Sequence, residues 1–270
     1  MIWSCPVCHL PLETSNSDLR CASNHSYDLA KEGYCNLLLA NQKNSKAPGD
    51  SGEMVAARRQ ILDAGIYQPL SEKLRELVKQ YSPETILDMG CGEGYYLGQI
   101  LKGYEDELKA YGLDISKPAI RRAAKRYKDI SFSVASNFQP PVLPASVDLV
   151  LRVFAPAPAE VVAKLLKTDG FYLIVTPGEN HLRQIREKLY DDVRQHINEP
   201  EVPEGFVLQD RVKVSYALED LEPASISAIV SMTPFQWKGS EEGRAELGEQ
   251  GLSALEMDFV VSLYRKSPWL

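Results

Sequence analysis

Residues 86–94 read Ile86-Leu87-Asp88-Met89-Gly90-Cys91-Gly92-Glu93-Gly94: an apolar run fit for a buried strand, an acid near its end, then three glycines in five positions. A glycine-rich turn of this kind lets the chain reverse sharply and lets backbone approach a ligand before a helix begins. The helix follows through Leu97, Ile100 and Leu101. Residues 110–114 then read as a second strand, and the next helix carries Ile120, Ala123, Ala124 and Tyr127 on one face. Residues 132–134, 147–151 and 171–175 are further strands, the last two flanking a helix through Val161, Val162, Leu165 and Leu166. Upstream, Leu70, Leu74, Leu77, Val78 and Tyr81 recur at helical spacing and Pro83 stops them. Downstream of Pro203 the pattern predicts a strand over 206–216, a helix over 219–230 and a terminal strand over 258–264. Strands alternating with helices predict an α/β fold whose parallel sheet is covered on both faces.

Asp88 closes the first strand and Asp114 closes the second, twenty residues after Gly94. An acid at the second position can accept hydrogen bonds from both hydroxyls of a ribose. A nicotinamide dinucleotide needs G-x-G-x-x-G, with pyrophosphate on the helix N-terminus. This chain has G-x-G-x-G behind an aspartate, with Glu93 inside the turn, and those acids would repel pyrophosphate. They suit the cationic amino and sulfonium end of S-adenosylmethionine, so electrostatics favours the methyl donor. Asp88, Gly90, Gly92, Gly94 and Asp114 are the candidate binding residues; a purely structural turn is the plain alternative.

The first 35 residues are short and turn-rich and hold Cys5, Cys8, Cys21 and Cys35, four of the five cysteines. Cys5 and Cys8, then Cys21 and His25, give C-x2-C-x12-C-x3-H. Two close pairs of soft ligands across a loop close a tetrahedral zinc site, structural because no coordination position stays open. The metal stands in for a hydrophobic core that so short a module cannot supply. Cys5-Pro6-Val7-Cys8-His9 also fits c-type haem attachment, which leaves Cys21 and His25 without a role. Cys35 follows the cluster and is expected to pack.

The chain has 270 residues, 44% hydrophobic and 25% charged, enough for a sizeable core and about two domains. No apolar run approaches the roughly 18 residues of a membrane span, and the first residues lack the pattern of an export signal. The expected location is the cytoplasm. Net charge is −7, with acids outnumbering bases 13 to 6 from Glu199 onward, which leaves residues 1–198 balanced. A basic face is therefore open to the first part of the chain. Lys117, Arg121, Arg122, Lys125, Arg126 and Lys128 fall within twelve positions containing no acid. Such a run is the solvated face of an amphipathic helix or a phosphate contact, and spacing does not choose between them. Residues 40–52 are polar and rich in turn formers; Lys43, Lys46, Arg58 and Arg59 bracket them.

Taken together, the segments resemble the bacterial 23S ribosomal RNA (guanine-N1)-methyltransferases, in particular a proteobacterial branch that modifies a hairpin loop. The likeness runs over essentially the whole chain. It rests on Cys5-Pro6-Val7-Cys8 with Cys21 and His25, Ala30-Lys31-Glu32-Gly33-Tyr34, Pro48-Gly49-Asp50-Ser51, residues 62–70 and 88–96, Thr176-Pro177-Gly178 with His181-Leu182, and Met232-Thr233-Pro234-Phe235. The resemblance implies a class I (Rossmann-like) S-adenosylmethionine-dependent methyltransferase sheet behind a small zinc-binding module. By that resemblance, residues 1–36 are the zinc-binding RNA-recognition module, 37–69 a linker and helix over the active site, and 70–270 the S-adenosylmethionine-binding domain. It further implies a homodimer acting on a 23S rRNA hairpin loop, with Tyr67, Gly94, Tyr95, Asp114 and His181 lining the S-adenosylmethionine site and Asn137 near the adenine. Cys35, Phe154 and the pair Asn137-Phe138 depart from the residues expected there.

The reaction this implies is methyl transfer from a sulfonium to N1 of a guanine, made reachable because an unpaired base can be splayed out. N1 carries a proton in neutral guanine, so a proton acceptor helps. Asp50, Glu53 and His181 are candidates, and the sequence leaves the choice open. Two other classes fit parts of the pattern: a zinc-containing RNA-binding protein with an inactive methyltransferase fold, and a small-molecule methyltransferase.

Overall fold

The computed structural model describes residues 1–15, 17–42, 48–102, 104, 108–190, 199–233, 235 and 239–267. Lys43, Lys46 and Pro234, named above, lie outside the described residues. Strands β1 (Leu12–Ser15), β2 (Asp18–Cys21) and β3 (Ser26–Asp28) form a small antiparallel sheet. β4 (Cys35–Asn36) follows, then α1 (Gly52–Asp63) and α2 (Gln68–Tyr81). The central run is β5 (Thr85–Met89), α3 (Tyr95–Leu101), β6 (Lys109–Asp114), α4 (Lys117–Arg126) and β7 (Ile130–Val134). It continues with β8 (Val147–Val153), α5 (Ala159–Leu165), β9 (Leu166–Pro177) and α6 (Arg183–Leu189). β10 (Phe206–Leu221), α7 (Pro223–Ser231), α8 (Glu241–Gln250) and β11 (Leu252–Lys266) complete it.

The large sheet has the order β10-β11-β9-β8-β5-β6-β7-β4. From β9 to β4 the strands run parallel; β11 and β10 are antiparallel additions. All five residues of β5 are buried, as expected where both faces of a central parallel strand are covered. On one face Leu70, Leu74, Val78, Leu97, Ile120 and Ile226 pack over Ile86 and Leu149. On the other, Leu87, Met89 and Tyr111 meet α5 and the zinc module itself, through Ile2, Trp3, Leu12 and Leu19. The N-terminal module thus occupies the place of a covering helix. Trp3 anchors it, packing edge-on against Tyr111 at 5.6 Å between ring centroids.

Sequence signals explain most boundaries. α2 carries Pro69 in its first turn and ends where Ser82 turns left-handed (φ +42°), just before Pro83. α4 opens on Ser116, whose hydroxyl caps the Ala119 N–H. Three expectations are corrected. The helix expected over 219–230 begins only at Pro223, because β10 continues to Leu221 beside β11. The terminal strand is also longer, running from Leu252. β4 hydrogen-bonds to β7, so the last two residues of the expected 1–36 module belong to the main sheet. Among the described residues, no helix is long and apolar enough to cross a membrane.

Candidate active site and metal centre

β5 is hydrogen-bonded to β6 on one side and β8 on the other. The chain leaves β5 towards β6 and reaches β8 only later, so the glycine turn sits at a topological switch point, where open α/β sheets bind ligands. The turn is tied down by its own backbone: the Gly90 and Cys91 N–H groups both donate to the Leu113 carbonyl, at 2.8 and 3.0 Å. Gly90 has φ +81°, and a Cβ there would lie 2.4 Å from that of Ala155. No other residue fits. Gly92 also has positive φ, yet a Cβ on it would meet nothing within 4 Å, which marks the open side of the cradle.

Two carboxylates close the adjoining strands. Asp88 is 1% exposed, and neither of its oxygens has a hydrogen-bond partner among the described residues. Burial, reinforced by the charge of Asp114, drives its pKa well above the ordinary carboxylate value. Asp114 accepts from the Gly92 N–H at 2.9 Å and the Ser116 N–H at 2.7 Å. Burial raises its pKa too, against the pull of those two N–H groups. A carboxylate has about four acceptor positions, so Asp114 keeps capacity for a diol. Among the described residues Asp88 has neither a countercharge within ion-pairing distance nor a donor. The cationic amino and sulfonium groups of S-adenosylmethionine fit that need, whereas a pyrophosphate would add charge of the wrong sign.

The other expected residues divide into two groups. Asn137 belongs to the cradle: its Nδ2 donates to the Pro156 carbonyl at 3.0 Å, while its buried Oδ1 has no partner among the described residues and fits a donated N–H. His181 is buried beside the carboxyl ends of β8 and β9. Its ring lies near-parallel to Phe154 at 6.1 Å and 4.6 Å from Phe259. Its Nδ1 accepts the Asp258 N–H at 3.4 Å. Tyr67 and Tyr95 are core aromatics. Tyr67 packs on Phe259 at 5.6 Å, and Tyr95, at the start of α3, has the Ser71 hydroxyl of α2 as its polar neighbour.

Glu93 requires a correction. Its place in the turn groups it with Asp88 as an acid facing the ligand's cationic end. Its carboxylate instead lies 3.9 Å from the Arg126 guanidinium, in the field of Arg59 and Arg122, and the acid that pairs with Asp88 is Asp114. Asp50 is ion-paired to Arg58 at 2.8 Å, and its carbonyl accepts the Ser116 hydroxyl. Glu53 is exposed in the first turn of α1.

Phe154 is a residue at this end of the sheet whose exposure and conformation the sequence conceals. It follows β8 directly, is 45% exposed, and adopts φ +55°, a left-handed conformation costly for an aromatic residue. The legible signal was an aromatic at the carboxyl end of a strand, next to Ala155-Pro156.

The metal centre assembles as the spacing predicts. One ligand atom from each of Cys5, Cys8, Cys21 and His25 lies within 4.8 Å of the others. His25 Nδ1 is 3.5 Å from both the Cys5 and Cys21 sulfurs, and Cys8 and Cys21 sulfurs are 3.6 Å apart. A tetrahedron with Zn–S bonds of about 2.3 Å has edges of about 3.8 Å, so the cluster has the size of a closed zinc site. Burial opposes ionisation of Cys5, but the Tyr27 hydroxyl and the backbone of Cys8 and Val7 outweigh it, lowering the pKa to about 6. Cys35 stands apart, buried in β4.

Comparison with known proteins follows the same division. Residues 3–46 match the family described as RlmA, N-terminal, a zinc ribbon, and residues 81–219 match a methyltransferase domain. The 23S rRNA (guanine(748)-N(1))-methyltransferase of Streptomyces fradiae is 34% identical over 86% of this chain and 85% of its own length. A Bacillus subtilis protein, YxjB, is 29% identical over 95% of this chain and 94% of its own, and its name assigns it guanine-N1 methylation of 23S rRNA provisionally. The solved structure of YcgJ from Bacillus subtilis overlays with a TM-score of 0.43 at 15% identity, over 68% of this chain and 92% of that one.

Proposed function

The chain belongs to the family of 23S rRNA (guanine-N1)-methyltransferases, and from that premise we propose how it selects and methylates its target. It is an S-adenosylmethionine-dependent enzyme with a structural zinc ribbon, and its substrate is a guanine of 23S rRNA. The finer reading is that this guanine lies unpaired in a hairpin loop, where its Watson–Crick edge can be reached without opening a duplex.

The single observation that carries the reading is Asp88: a buried carboxylate, without a hydrogen-bond partner among the described residues, at the switch point of a methyltransferase sheet. When bound, S-adenosylmethionine supplies a methyl group already activated by its sulfonium. Asp88 holds the cationic end, Asp114 the ribose hydroxyls, and Asn137 offers its Oδ1 to an amine of the base. The backbone of Gly90, Gly92 and Gly94 makes the close approach possible, and Tyr67 and Tyr95 support the walls from behind. The exposed face of Phe154 is the stacking surface for the splayed guanine. His181, beside Phe154, lines the same end of the site. The chain's contribution to rate is chiefly orientation, which can supply about 7–11 kcal/mol.

The assembly is proposed to be a homodimer. Support comes from β10, a sixteen-residue edge strand with Val207 and Leu208 exposed and Val202 exposed just before it. A chain that acts on rRNA works in the cytoplasm, where ribosomes assemble. The test is incubation of the purified protein with unmodified 23S rRNA and labelled S-adenosylmethionine, followed by primer extension. A methyl on N1 blocks base pairing, so one new stop at a loop guanine is expected. Label in RNA without a stop, or a stop within a helix, overturns the finer reading.

A further inference from the structure

Asp258, 2% exposed, is a buried carboxylate to which the reaction gives no role. It stands in β11 one residue before Phe259, whose partner in β9 is Pro177, and so faces the turn that leaves β9. Backbone and side chain together clasp that turn, residues 178–181. The Gly178 N–H donates to the Asp258 carbonyl at 2.8 Å, the Asn180 N–H to its carboxylate Oδ2 at 3.0 Å, and the Asp258 N–H to His181 Nδ1 at 3.4 Å. β10 anchors the carboxylate from the opposite side: the Ser215 hydroxyl donates to Oδ1 at 2.6 Å, and the Lys213 ammonium lies 3.3 Å from Oδ2.

The turn is shaped around this carboxylate. A Cβ on Gly178 would lie 2.6 Å from the Asp258 carboxyl carbon, so glycine alone leaves room for it. Burial opposes ionisation of Asp258, but the Ser215 hydroxyl, the Asn180 N–H and the Lys213 ammonium outweigh it and hold the pKa below the ordinary carboxylate value. Stability is a poor reason for a buried charge, since well-packed apolar residues often serve a core equally well. What the charge supplies here is direction. Asn180, Lys213, Ser215 and Asp258 line a hollow of about 260 Å³, so packing does not hold the turn on that side and the hydrogen bonds must. Two residues past Asn180, the chain enters α6, and between them His181 places its ring against Phe154 and Phe259.

We propose that Asp258 is a positioning residue of the methyl-donor site, holding the turn that carries His181 and thereby fixing the imidazole at the carboxyl ends of β8 and β9. The proposal rests on the placement of His181 in that site and adds what keeps it there. Asp258 acts through the turn and touches no reacting atom.

The test uses the full-length, zinc-loaded protein and S-adenosylmethionine affinity by calorimetry. His181→Ala should weaken binding about 3- to 10-fold, the worth of one hydrogen bond. Asp258→Ala should reproduce most of that loss. Added to His181→Ala, it should change affinity less than about twofold, because the group it positions is already gone. Asp258→Asn keeps an oxygen for the Asn180 N–H, and the Ser215 hydroxyl can turn to accept from its amide, so it should bind nearly as the wild type does. Gly178→Ala keeps Asp258 but pushes the turn off it; measured with and without His181, it decides the matter should Asp258→Ala fail to fold. Losses of equal size in both backgrounds, or no loss in either variant, overturn the positioning role alone. A His181→Ala protein that binds as the wild type does overturns the placement of His181 and the proposal with it. Wild-type protein that binds no S-adenosylmethionine overturns the functional reading on which both stand.

Discussion

The Trp3 indole N–H donates to the Ser131 hydroxyl at 2.9 Å, joining the third residue of the zinc ribbon to β7. With Trp3 1% exposed and seated on Tyr111, the ribbon is part of the core and not a tethered appendage. Trp3→Ala should cost about 3–5 kcal/mol of stability, as other large-to-small core replacements do, read as a lower urea midpoint for the whole chain. A loss confined to the ribbon, with the methyltransferase domain unaffected, would contradict shared packing.

Metal content is the next expectation. Purified protein should carry one zinc per chain by elemental analysis, and Cys21→Ala should lose it. The binding free energy of such sites is folding free energy, so chelation should unfold residues 1–30 and expose Trp3, shifting its fluorescence. A Cys21→Ala chain that keeps a folded, metal-free ribbon would defeat the zinc assignment.

Asp88 sets stability against binding. Its folded-state pKa is raised by burial and by Asp114, so its neutral form is the one the fold tolerates. Its contribution to the ligand-free protein is therefore intact at acid pH and is lost as pH rises through the raised folded-state value. Asp88→Asn keeps the shape and stays neutral. It should melt higher than wild type at neutral pH, with the gap closing on acidification, and bind S-adenosylmethionine about 10- to 150-fold more weakly, the worth of a charged hydrogen bond. Calorimetry and thermal melts across pH check both halves; unchanged affinity would remove Asp88 from the site.

Phe154 should act on RNA alone. Loss of one base-stacking partner costs about 1–3 kcal/mol, so Phe154→Ala should lower kcat/KM for rRNA about 5- to 150-fold. Phe154→Tyr should restore most of it, and S-adenosylmethionine affinity should hold in both. Equal losses for RNA and cofactor would return Phe154 to a packing role.

What the sequence discloses follows interaction range. The strands β5, β6, β7, β8 and β9 announce themselves by apolar runs, and α2 and α4 by spacing and caps, because those signals are local. The zinc ligands are legible for the same reason: their chemistry depends on spacing along a short loop. Glu93 is not legible, because its place in the turn says nothing of where its side chain goes; Arg126, 33 residues later, decides that. α8 gave no signal, since of its ten residues only Gly243 and Leu247 are buried. Phe154 was legible as an aromatic but not as an exposed, left-handed one, which only the neighbouring Phe259, His181 and Ala155 define.

β4 is only two residues long, yet it forms one border of the parallel sheet against β7 and continues directly from the ribbon. A chain trimmed beyond Asn36 would leave β7 with a bare row of amides and carbonyls, a template on which further chains can add. Truncates that keep every cofactor-site residue are thus expected to be aggregation-prone, and a catalytic fragment worth purifying must begin upstream of Cys35.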